Sequence, residues 1–162
     1  MRIQPSHRSG VAAIEFAVVL PLISALLLGM WEAGRLIEVT QIMNNAAREG
    51  ARQAATGQVN ATQVQQIVVN YLTAAGIPVT NPSGAVQVRN LGFPGNPPPP
   101  DNNPMDATQL DQLQVTVSIP SGDVRWIALY LVTGPNTVLN GQAVWCSTKD
   151  IAYPSVAYPP EE

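Results

Sequence analysis

Histidine, cysteine and charge are all scarce in this sequence, and each scarcity excludes a class of function. The one histidine, His7, lies ahead of any segment that could form a folded body. A Ser-His-Asp triad, a Cys-His pair or a zinc site with imidazole ligands therefore has no candidate in the rest of the chain. The one cysteine, Cys146, rules out a disulfide within the chain. Charged residues occupy 12% of the 162 positions, about half the usual share, which points to surface that faces a partner or a membrane. A net charge of −3 leaves no basic footprint for nucleic acid. No glycine-rich phosphate loop is present. The carboxylates that an anchored enzyme would have to use, such as Asp106, Asp111 and Asp123, stand in no recognisable catalytic frame. The expectation is a protein that is not an enzyme, with no catalytic residues, metal, cofactor or small-molecule substrate.

The chain does have one long apolar run. Residues 10–31, GVAAIEFAVVLPLISALLLGMW, are apolar throughout except for Glu15. As a helix this run is about 33 Å long, which matches the hydrocarbon core of a bilayer. It is longer than the apolar region of a cleaved secretory signal and continues into helix-compatible sequence. Arg2 and Arg8 precede it and no comparable cluster comes soon after, so the N-terminus is expected in the cytoplasm and the body outside. A carboxylate just inside the membrane costs about 2.5–3.5 kcal/mol on insertion scales and calls for a partner. No lysine or arginine lies one turn from Glu15, but an amine freed by cutting the chain just before Val11 would serve. Small residues recur at every fourth position, at Ala13, Ala17, Pro21, Ala25, Gly29 and Ala33. Such a row makes a ridge on which a second helix can approach closely, although alanine is common enough in anchors for the spacing to arise by chance. Pro21 removes one backbone donor and is expected to kink or loosen the helix.

The start of this run, a short basic leader and then Ser9-Gly10-Val11-Ala12-Ala13-Ile14-Glu15-Phe16, resembles the processing site of type IV prepilins. With the later segment Ala46-Ala47-Arg48-Glu49-Gly50-Ala51-Arg52, it narrows to a resemblance to the TadE-like family of tight-adherence pilus proteins, covering about the first 56 residues. The resemblance implies a pseudopilin or minor pilin, cut between Gly10 and Val11 by a prepilin peptidase. Glu15 and Phe16 would then sit near the new N-terminus, and Glu15 would bring a subunit into register with its neighbour. It further implies other pilus subunits, an inner-membrane assembly platform and membrane lipid as partners, and residence in the bacterial inner membrane with one pass. Two other readings are an unprocessed single-pass protein with a periplasmic binding module and, less consistent with the composition, an anchored enzyme working through the carboxylates named above.

The expected architecture is α+β: a leader at 1–10, one long helix over 11–56, a small head over 57–150 and a flexible tail over 151–162. The helix runs from about Val11 to Ala55 and ends near Gly57, with its second half packed on the head. Ala17, Pro21, Ala25, Gly29 and Ala33 are its expected packing positions. Arg48 and Arg52, one turn apart, either contact a partner or pair with nearby groups such as Glu49. Asn60 and Gln63 start a second helix with a capping box, with Val64, Ile67, Val68, Tyr71, Leu72 and Ala75 on one face. Gln112–Ile119 alternates as a strand should, and weaker strands fall around Ala85–Leu91 and Gln142–Thr148, giving a three-stranded antiparallel sheet. The run 123–132 is read as a helix. Residues 92–108, with four consecutive prolines, read as a stiff spacer, and Asp101, Asn102, Asn103 and Asp106 show no ordered calcium spacing. Cys146 is expected to be a buried small hydrophobe.

Overall fold

The computed structural model describes residues 8–93, 95, 97–98, 101–124, 134 and 136–149, with side chains from Gly10 onward. The first helix, α1 (Arg8–Ala55), is one unbroken run that passes through Pro21 without interruption. It stops where Gly57 takes a φ of +67° and donates its N–H to the Ala54 carbonyl. A left-handed residue at that point suits glycine and terminates the helix. The N–H and hydroxyl of Thr148 both donate to the Ala55 carbonyl, at 2.9 and 3.2 Å, so a distant segment satisfies the exposed end.

The second helix, α2 (Ala61–Ala74), begins with the expected capping box: Asn60 Oδ1 accepts from the Gln63 N–H, and Gln63 Oε1 accepts from the Asn60 N–H. Its buried side is narrower than its apolar pattern suggests. Val64, Val68 and Leu72 are buried, whereas Tyr71 is 40% exposed and Ala75 lies on the surface. The row of every fourth residue is fully buried, and its neighbours Gln65 and Val69 are partly buried, with Gln65 Nε2 donating to the Val86 carbonyl at 3.0 Å. Tyr71 and Ala75 lie further out. After α2 come a short helix α3 (Pro82–Ala85), the strands β1 (Val86–Asn90) and β2 (Gln112–Pro120), a helical turn α4 (Ser121–Val124) and β3 (Val138–Cys146). The 123–132 run is helical to Val124; residues 125–133 lie outside the described residues, as do residues 1–7 of the expected leader and the segment 150–162.

The sheet is antiparallel with β2 in the centre, flanked by β1 and β3. Leu113, Val115, Val117 and Ile119 point to one face, where they meet Val39, Met43, Ala46 and Ala47 of α1 and the buried ridge of α2. The chain is thus a long helix whose second half forms, with α2, one layer of a two-layer head. The other face of the sheet is polar for most of its length, with Gln112, Gln114, Thr116 and Ser118 paired to Cys146, Val144, Gln142 and Asn140. This register corrects the expectation for Cys146. The thiol is exposed, because its partner Gln112 belongs to the outer face.

The proline-rich excursion is also more than a spacer. Residues 101–108 return onto the head, with Pro104 and Ala107 buried and a single 3-10 turn at Pro104–Asp106. Asp111 is 1% exposed and holds this return, accepting from the Thr108 N–H at 2.8 Å and from Asn90 Nδ2 at 3.2 Å. The Asn90 N–H in turn donates to Asn102 Oδ1, and Asn90 Oδ1 accepts from the Gly92 N–H. Polar groups buried in this way must bond to one another to offset their lost hydration.

Candidate functional site along the first helix

The two halves of α1 differ in what surrounds them. From Gly10 to Leu27 every side chain is exposed, including Phe16, Leu20, Ile23 and Leu27. An 18-residue window here has a mean hydropathy of 2.5 and none of it is buried, which makes α1 long and apolar enough to cross a membrane. An apolar surface of this length cannot be left in water without a large cost, so it requires lipid or other helices around it.

The expected site residues divide along this boundary. Gly10, Val11, Glu15 and Phe16 all lie on the exposed helical stretch. Ala17, Pro21 and Ala25 are exposed too, while Gly29 and Ala33 are half-buried at the point where the head begins. At Gly29 an added Cβ would meet nothing within 4 Å, so the groove beside it is open. Ser24 Oγ donates to the Leu20 carbonyl at 2.8 Å, a back-bond common to helices in apolar surroundings. Pro21 contributes no N–H to the ladder, yet the helical run continues on both sides.

In the second half the Ala46–Arg52 segment separates into two sets. Ala46, Ala47 and Ala51 are fully buried, and Gly50 is buried with them. A Cβ at Gly50 would lie 2.5 Å from Cγ2 of Val68, so glycine sets how closely α2 can approach. Arg48 and Arg52 point outward. Arg52 forks onto Glu49, with Nη2 to Oε1 at 2.6 Å and Nε to Oε2 at 3.0 Å, and Gln53 Nε2 also donates to Oε1 at 2.9 Å. The Arg52 hydrogen bond, then that from Gln53, lowers the Glu49 pKa against the opposing effect of partial burial, and Glu49 raises that of Arg52. Of the two alternatives for Arg52, the structure supplies the local pair. Arg48 has no hydrogen bond or ion pair among the described residues and is open to a partner.

Several contributors carry no mark in the local sequence. Gly141 of β3 sits so close to α1 that a Cβ there would fall 2.7 Å from the Met43 carbonyl carbon and 2.8 Å from the Asn44 nitrogen. Beside it, Asn44 Oδ1 accepts the Gln142 N–H at 3.1 Å, which satisfies an edge-strand donor from the helix. The signal for Asn44 and Gly141 is a tertiary one. For Gly50, which the sequence reading also missed as a packing residue, a signal was available: small residues at 46, 47, 50, 51 and 54 follow helical spacing.

Elsewhere the described residues offer little for chemistry. No three His, Cys, Asp or Glu side chains among them come together in a metal-holding group. Asp106 and Asp101 are engaged by Asn103 within their own turn. A cleft of about 320 Å³ between Pro78–Ala85 and the end of β2 has Asp123 as its one acidic lining residue among those described, without a second carboxylate for acid-base work.

The protein-family model described as TadE-like protein matches residues 10–52, which spans the exposed half of α1 and the Ala46–Arg52 segment. No curated protein and no solved structure is significantly similar to the chain.

Proposed function

We propose that the protein is a membrane-anchored pseudopilin or minor pilin of a tight-adherence type IV pilus. The observation that carries this reading is the bare apolar half of α1, with Glu15 inside it, lying within the stretch that is similar to TadE-like proteins. In the proposal a prepilin peptidase cuts between Gly10 and Val11. The freed amine of one subunit neutralises Glu15 of another, because two opposite charges in hydrocarbon cost less than one alone. The exposed ridge of Ala17, Pro21 and Ala25, continued by the half-buried Gly29, then packs against neighbouring helices, where close backbone approach supplies the attraction that lipid cannot. The head stays on the extracytoplasmic side of the inner membrane. The subunit contributes to pilus assembly and adhesion through these contacts, with other pilus subunits and the assembly platform as partners and no catalytic step of its own.

The test is the N-terminus of the membrane-extracted protein, determined by mass spectrometry in cells with and without the prepilin peptidase. A chain that begins at Val11 only when the peptidase is present is the expected result. An uncut leader in both samples overturns the proposal and leaves an unprocessed single-pass protein with a periplasmic module.

A further inference from the structure

The direction of β3 fixes which end of the head lies nearest the apolar half of α1. Gln142 is bonded to Asn44 and Thr148 to Ala55, so β3 runs in the same sense as α1. Val138, at the start of β3, is therefore about 13 Å nearer the apolar half than Gln142, level with Arg35. Trp31, where the apolar run ends, lies about 6 Å below Arg35 along the helix. The headgroup layer on each side of a bilayer's hydrocarbon is about 5–8 Å thick. With α1 across a membrane, the α4 end of the head thus stands at the depth of the lipid headgroups. The Arg35–Glu38 ion pair, at 2.9 Å, marks the same level on α1.

The cleft of about 320 Å³ opens at this end, between the Pro78–Ala85 turn, α4 and the ends of β2 and β3. Val79, Pro120 and Val138 give it apolar walls, with Val138 50% exposed. Asp123 is the one charged group of the lining among the described residues, and it has no ion pair among them. Asn81 is a second polar contributor. Its Oδ1 accepts from the Ser83 hydroxyl at 3.0 Å and from the Gly84 N–H at 3.2 Å, which leaves Nδ2 as its donor. The described lining has no aromatic ring. A ligand with net negative charge is repelled by Asp123, and a quaternary ammonium lacks the aromatic cage that holds it. A primary ammonium, with three N–H donors, matches the carboxylate, and a phosphate oxygen beside it matches the amide.

We propose, on the reading that α1 spans a membrane, that this cleft seats the headgroup of a phospholipid bearing a primary ammonium, such as phosphatidylethanolamine. Asp123 accepts from the ammonium and Asn81 Nδ2 donates to the phosphate, while Val79, Pro120 and Val138 line the apolar side. Lipids held at this depth present their headgroups at high effective concentration, so a contact that is weak in solution is filled at the membrane. The seat then fixes how the head stands on the bilayer.

The full chain is placed in nanodiscs of phosphatidylglycerol with equal parts of phosphatidylethanolamine and phosphatidylcholine, and native mass spectrometry counts the lipids that it retains on release. The ethanolamine lipid should be retained about fivefold over the choline lipid, the upper end for one exposed ion pair. Asp123→Asn should bring that ratio to one, and Asp123→Lys should shift retention toward phosphatidylglycerol. Asp106→Asn, outside the cleft and engaged by Asn103, should leave the ratio unchanged. Equal retention of the two lipids by the unaltered chain overturns the proposal. A preference that survives Asp123→Asn also overturns it, because the preference then belongs to lipid around α1. Flotation with vesicles of the same composition tests the anchor separately. A chain that floats without the preference refutes the seat alone, and one that fails to float refutes the spanning helix as well.

Discussion

Small residues recur along both halves of α1, at Ala17, Ala25 and Gly29 in the first and at Ala47, Gly50, Ala51 and Ala54 in the second. In the second half they are buried, and beside Gly50 the space is taken by Val64 and Val68 of α2 and by Val115 of β2. In the first half the corresponding surface is open. Small side chains permit close approach but do not supply the partner. In the second half the partner is the chain's own head. In the first half it must come from outside the chain, which is why the same feature reads as folding in one place and as assembly in the other.

Glycine substitutions should break this comparison most sharply. Gly141→Ala places a methyl against the backbone of Met43 and Asn44, which cannot rotate away, so helix and strand must separate. A loss of about 3 kcal/mol, at the upper end of overpacking effects, is expected. It would appear as a large fall in the midpoint of thermal unfolding in detergent. Gly29→Ala, with open space around its Cβ, should leave that midpoint unchanged or slightly raised. An equal response at both positions would refute the division of α1 into a committed and an uncommitted half.

A smaller effect tests how the head is fastened to the helix end. Asn60→Ala removes the side-chain acceptor for the Gln63 N–H and should cost about 1 kcal/mol. Chemical denaturation should show that loss with an unchanged slope. A fall in slope would mean that α2 unfolds separately from the sheet.

The smallest expected effect is acid sensitivity at Glu49. Its folded pKa lies below the ordinary carboxylate value, chiefly because of Arg52. The pair's contribution is therefore fully present above the unfolded value and fades as pH falls through the lowered folded value. Glu49→Gln should flatten the stability profile slightly in that acid range and leave it unchanged at neutral pH apart from a constant offset. Both groups are largely solvated, so salt should weaken the effect.

Local pattern carried much of this architecture. The apolar run 10–31, the capping box at Asn60 and Gln63, the alternation from Leu113 to Ile119 and the stop at Gly57 each depend on neighbours within a few residues. Hydrophobic periodicity and capping chemistry are local, so they are legible before folding. The face of Cys146 was less accessible, because alternation alone leaves two registers open and only the pairing with Gln112 selects one. The return of residues 101–108 was hidden for a similar reason, since Asp111 and Asn90 meet across the sheet.

By itself, then, the sequence determined where α1 begins to be apolar, where it ends, how α2 starts and that β2 has one buried side. The tertiary structure decided which small residues on α1 are used internally, that Gly141 and Asn44 join strand to helix, and that Arg52 is paired while Arg48 has no ion pair among the described residues. The physical reason is range. Helix periods and caps are set by bonds between near neighbours, whereas close packing depends on which distant surfaces arrive at a residue.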